Sequence, residues 1–238
     1  MDILETKKLF YNKYAYKIVI YNRLASIFRS ELQRGNKLSF ARAELDRMHA
    51  EYENGFPITK RVFRSDTIIP TEDFFDAQDV YKILKKTSNE YMIRIGIGND
   101  LIIYSHSKEF LLSISKKVRS TNIKFYEPHV DIKDFLEKNK DVVIVKNQPK
   151  FPIKVILGRK KSGSIDLANW LKLNHDKSKV GNKTLSYLEE SSYVDGLYFY
   201  VRDEKVLQLV YLMCGDNIRK IEKLVWQHEI DKYKYGSE

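Results

Sequence analysis

YAYKIVIY, at residues 14–21, alternates its side chains so that Tyr14, Tyr16, Ile18 and Ile20 share one face. Ala15, Lys17, Val19 and Tyr21 take the other face, and this two-residue period with β-branched and aromatic residues predicts a strand. FPIKVIL at residues 151–157 predicts a second one, and Ile153-Lys154-Val155-Ile156-Leu157 echoes Tyr16-Lys17-Ile18-Val19-Ile20. Each strand leads into a basic connection and then a helix carrying an apolar-Ala pair, Phe40-Ala41 or Leu167-Ala168. A duplicated module accounts for the echo, and so does chance, because short strand sequences resemble one another often and the two connections differ by about ten residues.

Working outward, residues 38–53 read as a helix with Ser39 as cap and Gly55 as stop. Residues 71–86 read as a clearer one, with Phe74, Ala77, Val80, Tyr81 and Leu84 on one stripe. Glu72 and Asp73 suit the positive end of its dipole, and Lys85 and Lys86 the negative end. Residues 91–95 and 101–104 predict strands joined as a hairpin through Gly96, Gly98, Asn99 and Asp100. Beyond them come a helix at 107–118, a strand at 122–126, a helix at 132–138 and a strand at 142–145. Helices at 165–173 and 184–190, strands at 197–201 and 206–213, and a final helix at 217–226 complete the reading. This irregular order predicts an α+β fold, with helices packed on mixed or mainly antiparallel sheets and room for two α/β modules. Pro128 suggests a boundary between modules at 1–128 and 129–238, with a single domain as the alternative.

Composition narrows the class. In 238 residues, 43% hydrophobic and 13% aromatic, there is enough apolar matter for a sizeable core. A single cysteine, Cys214, makes no internal disulfide and excludes a multi-cysteine zinc site. The five histidines are scattered without ligand-like spacing, so neither a metal nor any other cofactor is expected. The first residues, MDILETKKLFYNKY, lack the apolar core of a secretory signal, and no apolar run is long enough to span a membrane. The expected location is the cytoplasm, or the host cytoplasm if the source is viral. The lean towards Lys, Ile, Asn and Tyr is shared by phages, large viruses and AT-rich bacteria.

The formal charge of +10 is unevenly distributed. Residues 1–64 hold 13 basic and 7 acidic side chains, and residues 140–184 hold 11 and 3. The stretches 65–139 and 185–238 are slightly acidic, at −1 and −3. Concentrated positive charge releases counterions from phosphates and so favours nucleic acid, whereas evenly mixed charge serves solubility. The side chains expected to contact phosphates are Lys17, Arg23, Arg29, Lys154, Arg159, Lys160, Lys161 and Lys172. Within them GRKKSGS, at residues 158–164, sits between a strand and a helix, where backbone amides can hold an anion. It is no nucleotide-hydrolysing P-loop, because Gly163 is followed by Ser164 where that motif has Lys. Tyr11, Tyr14, Tyr16 and Tyr21 interleave with Lys13, Lys17 and Arg23, a stacking-plus-cation pattern. Tyr14 and Tyr16 share their face with isoleucines, however, which favours burial for both; Trp170 beside Lys172 meets the same objection.

The function expected from these features is a non-enzymatic nucleic-acid-binding accessory protein for replication, transcription or packaging, on DNA or RNA. An interaction or assembly subunit of a virus or phage, with a protein partner, is the first alternative, suggested by the aromatic content and the acidic C-terminal quarter. A metal-dependent nuclease is the second, resting on Glu204-Lys205 and Asp131-Ile132-Lys133. No residue is assigned a catalytic role, because acid–Lys neighbours arise by accident in a chain that is 31% charged.

Overall fold

Residues 16–21 form the central strand of a five-stranded sheet, with Tyr16, Ile18 and Ile20 buried on one face and Lys17, Val19 and Tyr21 half-buried on the other. The computed structural model describes residues 1–29, 38–62, 65–159 and 163–230. The chain divides into two compact units, Met1–Lys133 and Asp134–Glu238. The fold is α+β. Among the described residues no helix is long and apolar enough to cross a membrane.

The first unit begins with β1 (Asp2–Thr6), β2 (Tyr16–Tyr21), a 3-10 turn at Ala25–Phe28 and α1 (Ser39–Glu53). A hairpin of β3 (Thr59–Val62) and β4 (Ser65–Ile68) follows, then α2 (Thr71–Lys86), β5 (Tyr91–Ile95), β6 (Asp100–Ser105), α3 (Lys108–Ser115) and β7 (Ile123–Pro128). The sheet order is β1-β7-β2-β6-β5. Only β1 and β7 run parallel; every other neighbouring pair is antiparallel. Helix α3 packs on β2 and β6, and α2 packs on α3 and α1. Phe74, Ala77, Val80 and Leu84 of α2 are buried together with Phe110, Leu111 and Ile114 of α3, at the three- and four-residue steps that put side chains on one helix face. Ser107 caps α3 by accepting a hydrogen bond from the Phe110 amide.

Helix α4 (Val130–Lys138) spans the division between the units. After it come β8 (Val142–Val145), β9 (Ile153–Leu157), α5 (Ser164–Leu173), β10 (Ser178–Val180), α6 (Asn182–Glu189), β11 (Tyr198–Val201), α7 (Glu204–Cys214) and β12 (Ile218–Trp226). The second sheet, read from the β8 edge, has the order β8-β12-β9-β11-β10. Only β8 and β12 run parallel, and all other neighbouring pairs are antiparallel. Strand for strand this is the arrangement of the first sheet. The echoing strands β2 and β9 occupy the same central place in the two sheets. The connections differ: β5 and β6 form a direct hairpin, whereas α6 separates β10 from β11. One apolar core joins Ile153, Val155, Leu157, Phe199 and Val201 of the sheet to Leu167, Ala168 and Leu171 of α5, Leu188 of α6 and Val206, Leu207 and Val210 of α7.

Two expected elements exchange type. Residues 206–213 were predicted as a strand and lie in helix α7; residues 217–226 were predicted as a helix, and Ile218–Trp226 of them form strand β12. The run VLQLVYLM is apolar at too many positions to show a period. Asp203 caps α7 by accepting from the Val206 amide, and burial falls at Val206, Leu207, Val210 and Cys214, a helical stripe. In β12, Ile218, Ile221 and Val225 imitate a helical stripe, but the segment pairs with β9 on one side and β8 on the other. The ladder shifts register between Ile218 and Lys220, so a β-bulge breaks the two-residue alternation that would have revealed the strand. The strands β1, β3, β4 and β10 were not expected at all.

Candidate functional site

The helices of the second unit cover one face of its sheet, and the opposite face collects lysines and aromatic rings. Lys154 of β9 stands opposite Tyr200 of β11 and Glu222 of β12, Ile156 stands opposite Tyr198, and Lys179 of β10 stands opposite Tyr200. Residues directly opposite in a ladder share a face. The Lys154 ammonium lies 4.2 Å from the centroid of Tyr198, whose ring meets Tyr200 edge-on at 5.6 Å. Tyr198 is 45% exposed. At one end of the same face Pro149, Lys150, Phe151, Lys179, Tyr200 and Leu224 line a hollow of about 300 Å³. Lys150 sits 5.4 Å from the Phe151 ring. Glu222 is buried and pairs with Lys220 at 2.7 Å and Lys154 at 3.5 Å, so part of this positive charge is already neutralised.

The first sheet carries the corresponding lysine. Lys17 stands opposite Tyr104 of β6 and Tyr126 of β7, which makes it the positional equivalent of Lys154 and Tyr104 the equivalent of Tyr200. A tyrosine, Tyr126, occupies the place of Glu222. The Lys17 ammonium is 3.5 Å from the Tyr126 centroid and 4.9 Å from that of Phe10, a cation–π arrangement. Burial holds its pKa below the usual lysine value. Tyr104 is buried under Phe10, Tyr11 and Tyr14, so the first face is closed by its own loop where the second offers a hollow.

Arg23 and Arg29 both lie near Lys60 in the first unit. Arg23, Lys60 and Arg61 line one cleft with Ser26, Thr67 and Asn99. Arg29 ends the 3-10 turn, and its charge acts on Lys60. The Arg23 guanidinium is 3.6 Å from Asp73, whose pKa burial raises despite that cation.

The remaining expected residues do not join either place. Arg159 pairs with Asp195 at 3.2 Å, and Arg219 pairs with the same carboxylate at 3.0 Å. Hydrogen bonds from Arg159 and then Arg219 hold the Asp195 pKa below the ordinary carboxylate value. Lys172 of α5 is paired with Glu189 of α6. Lys160 and Lys161 lie outside the described residues. In GRKKSGS, Gly163 answers a packing demand: its φ is +70°, and a Cβ there would lie 2.1 Å from the Met213 carbonyl oxygen. Tyr14 and Tyr16 are buried, and Trp170 packs against the second core.

Lys60, Arg61, Lys150, Lys179, Tyr198 and Tyr200 were not among the expected contacts. The alternation of Tyr198 and Tyr200 around the buried Phe199 was a local signal for the two tyrosines. Nothing local could pair them with Lys154, because that contact is a strand register.

The acid–Lys neighbours are occupied by other partners. Glu204 pairs with Lys223 at 2.8 Å, and Asp131 lies 3.2 Å from His129. Among the described residues no group of three or more His, Cys, Asp or Glu side chains could hold a metal ion. Cys214 is buried, and burial pushes its thiol up to about 11. Native protein at neutral pH is therefore expected to resist thiol-specific alkylation that goes to completion in denaturant. Rapid labelling of the native chain would show that the thiol is open to solvent.

No family model matches the chain, and no curated protein gives a match to it.

Proposed function

We propose that the protein is a non-enzymatic nucleic-acid-binding accessory protein. The observation that supports this is the hollow on the second sheet, where Lys150 and Lys179 flank the rings of Phe151 and Tyr200. Flat aromatic faces accept any base by stacking, and ammonium groups beside them neutralise the adjoining phosphates, which is the chemistry of single-strand binding. Lys154 and Tyr198 extend the same face. Lys172 and Arg159, committed to Glu189 and Asp195, are not part of it.

Anisotropy titrations of a labelled mixed-sequence single strand, as DNA and as RNA, test the reading. Tyr198→Ala is expected to weaken binding about tenfold while leaving the salt slope unchanged, since stacking contributes roughly 1–3 kcal/mol per base. Lys179→Ala is expected to reduce the slope of log affinity against log salt by about 0.7, the value for one lost single-strand phosphate contact. Absence of binding at low salt, or binding indifferent to salt, defeats the proposal.

A further inference from the structure

We propose that the cleft beside the β3–β4 hairpin is a phosphate-binding site, taking the phosphate group of a small phosphorylated compound or of a nucleic-acid chain. It goes beyond the nucleic-acid reading, because a free phosphate compound satisfies the same chemistry. The cleft measures about 510 Å³, within the size range of small-molecule sites. Two guanidinium groups and one ammonium line it, and the Ser26 and Thr67 hydroxyls and Asn99 add neutral polar groups. Arginine forks and a lysine point charge are the usual donors to phosphate oxygens.

Charge balance points the same way. Lys60 donates to the Arg23 carbonyl oxygen at 2.5 Å, and among the described residues no carboxylate lies within ion-pair range of its ammonium. Half-burial and the nearby Arg29 charge both lower its pKa, so the protein tolerates a cation here that it does not itself neutralise. Asp73 serves Arg23, and Asp66 stands opposite Arg61 in the hairpin. Three cations thus line the cleft, and among the described residues Asp73 and Asp66 are set against two of them, leaving Lys60. An anion is what the place lacks, and perturbed like-charge clusters of this kind gather at functional sites.

The walls are fixed before any ligand arrives. Asn22 is buried; its amide N–H donates to the Asn99 carbonyl at 3.0 Å and its side chain donates to the Asp73 carbonyl at 2.8 Å. Its Oδ1 accepts from the Leu24 amide, which sets the loop carrying Arg23 and Ser26. On the hairpin, Glu51 of α1 accepts from the Thr59 amide at 2.9 Å, and Arg47 donates to the Thr59 carbonyl at 2.9 Å. These bonds anchor β3 one residue before Lys60.

The test is calorimetric titration of the full chain with inorganic pyrophosphate, beside anisotropy with a single-stranded oligonucleotide. Lys60→Gln and Arg61→Gln are compared with Lys205→Gln, an exposed lysine of the second unit. Lys60→Gln and Arg61→Gln are each expected to weaken binding about tenfold, the effect of one lost charge-assisted hydrogen bond. Lys205→Gln should change nothing. Weakening of pyrophosphate alone assigns the cleft to a small compound, and parallel weakening of the oligonucleotide assigns it to a chain phosphate. If the wild type binds no oligonucleotide, the nucleic-acid reading fails while the pyrophosphate arm still decides this site. Unchanged affinities for both ligands in both variants overturn the assignment.

Discussion

Gly163→Ala is expected to destabilise the second unit by about 3–5 kcal/mol, combining a left-handed backbone cost of roughly 1–2 kcal/mol with severe overpacking. Gly163 precedes α5 with φ at +70°, and the added Cβ would fall 2.1 Å from the Met213 carbonyl oxygen and 3.4 Å from the Cys214 Cβ. The obstructing atom is backbone in the last turn of α7, so no rotamer change relieves it. Both tryptophans, Trp170 and Trp226, belong to the second unit, which makes tryptophan fluorescence in urea a selective reading of its unfolding. An unchanged midpoint would mean that α5 and α7 do not approach so closely there. The same substitution at Gly181, where a Cβ meets nothing within 4 Å, should be nearly neutral and serves as the control.

Asp76→Ala is expected to cost the first unit about 3–5 kcal/mol, the range for breaking a buried, hydrogen-bonded ion pair. Asp76 lies on α2 and is almost wholly buried. One carboxylate oxygen accepts the Arg119 amide at 2.7 Å and its guanidinium at 3.2 Å, and the other accepts the Ser120 amide at 2.9 Å. Alanine leaves two backbone donors of the α3–β7 connection without this acceptor. Asp76→Asn should lose less, because the amide keeps one acceptor oxygen. Amide hydrogen exchange within residues 91–128 is the suitable measurement, since the tryptophans do not report on this unit. Protection as strong as in the wild type would refute the claim that Asp76 ties α2 to the α3–β7 connection.

Some elements write their pattern into the sequence and others do not, for physical reasons. Helix α2 was legible because its apolar stripe, acidic first turn and basic last turn agree with one another. Strands β2 and β9 were legible because each has one buried face, so alternation survives in the sequence. Helix α7 and strand β12 were misread because one is apolar nearly throughout and the other carries a bulge. Short, largely exposed β3 and β4 have little pattern to read.

The candidate sites divide along the same line. Lys17 and Lys154 were identified from strand sequence, and both stand at the same position of matching sheets. Arg159 and Lys172 looked free in the sequence and are paired with acids from the acidic C-terminal quarter. A linear charge count cannot see partners brought in from 17 or more positions away. By itself, then, the sequence determined the α+β class, the alternating central strands and the concentration of positive charge in two segments. Those are properties of neighbouring residues and of composition. Only the tertiary structure decided which cations are neutralised, which share a cleft and which face aromatic rings. It also decided that the two sheets have one topology, because strand order and register depend on hydrogen bonds between segments distant in the chain, where local periodicity carries no information.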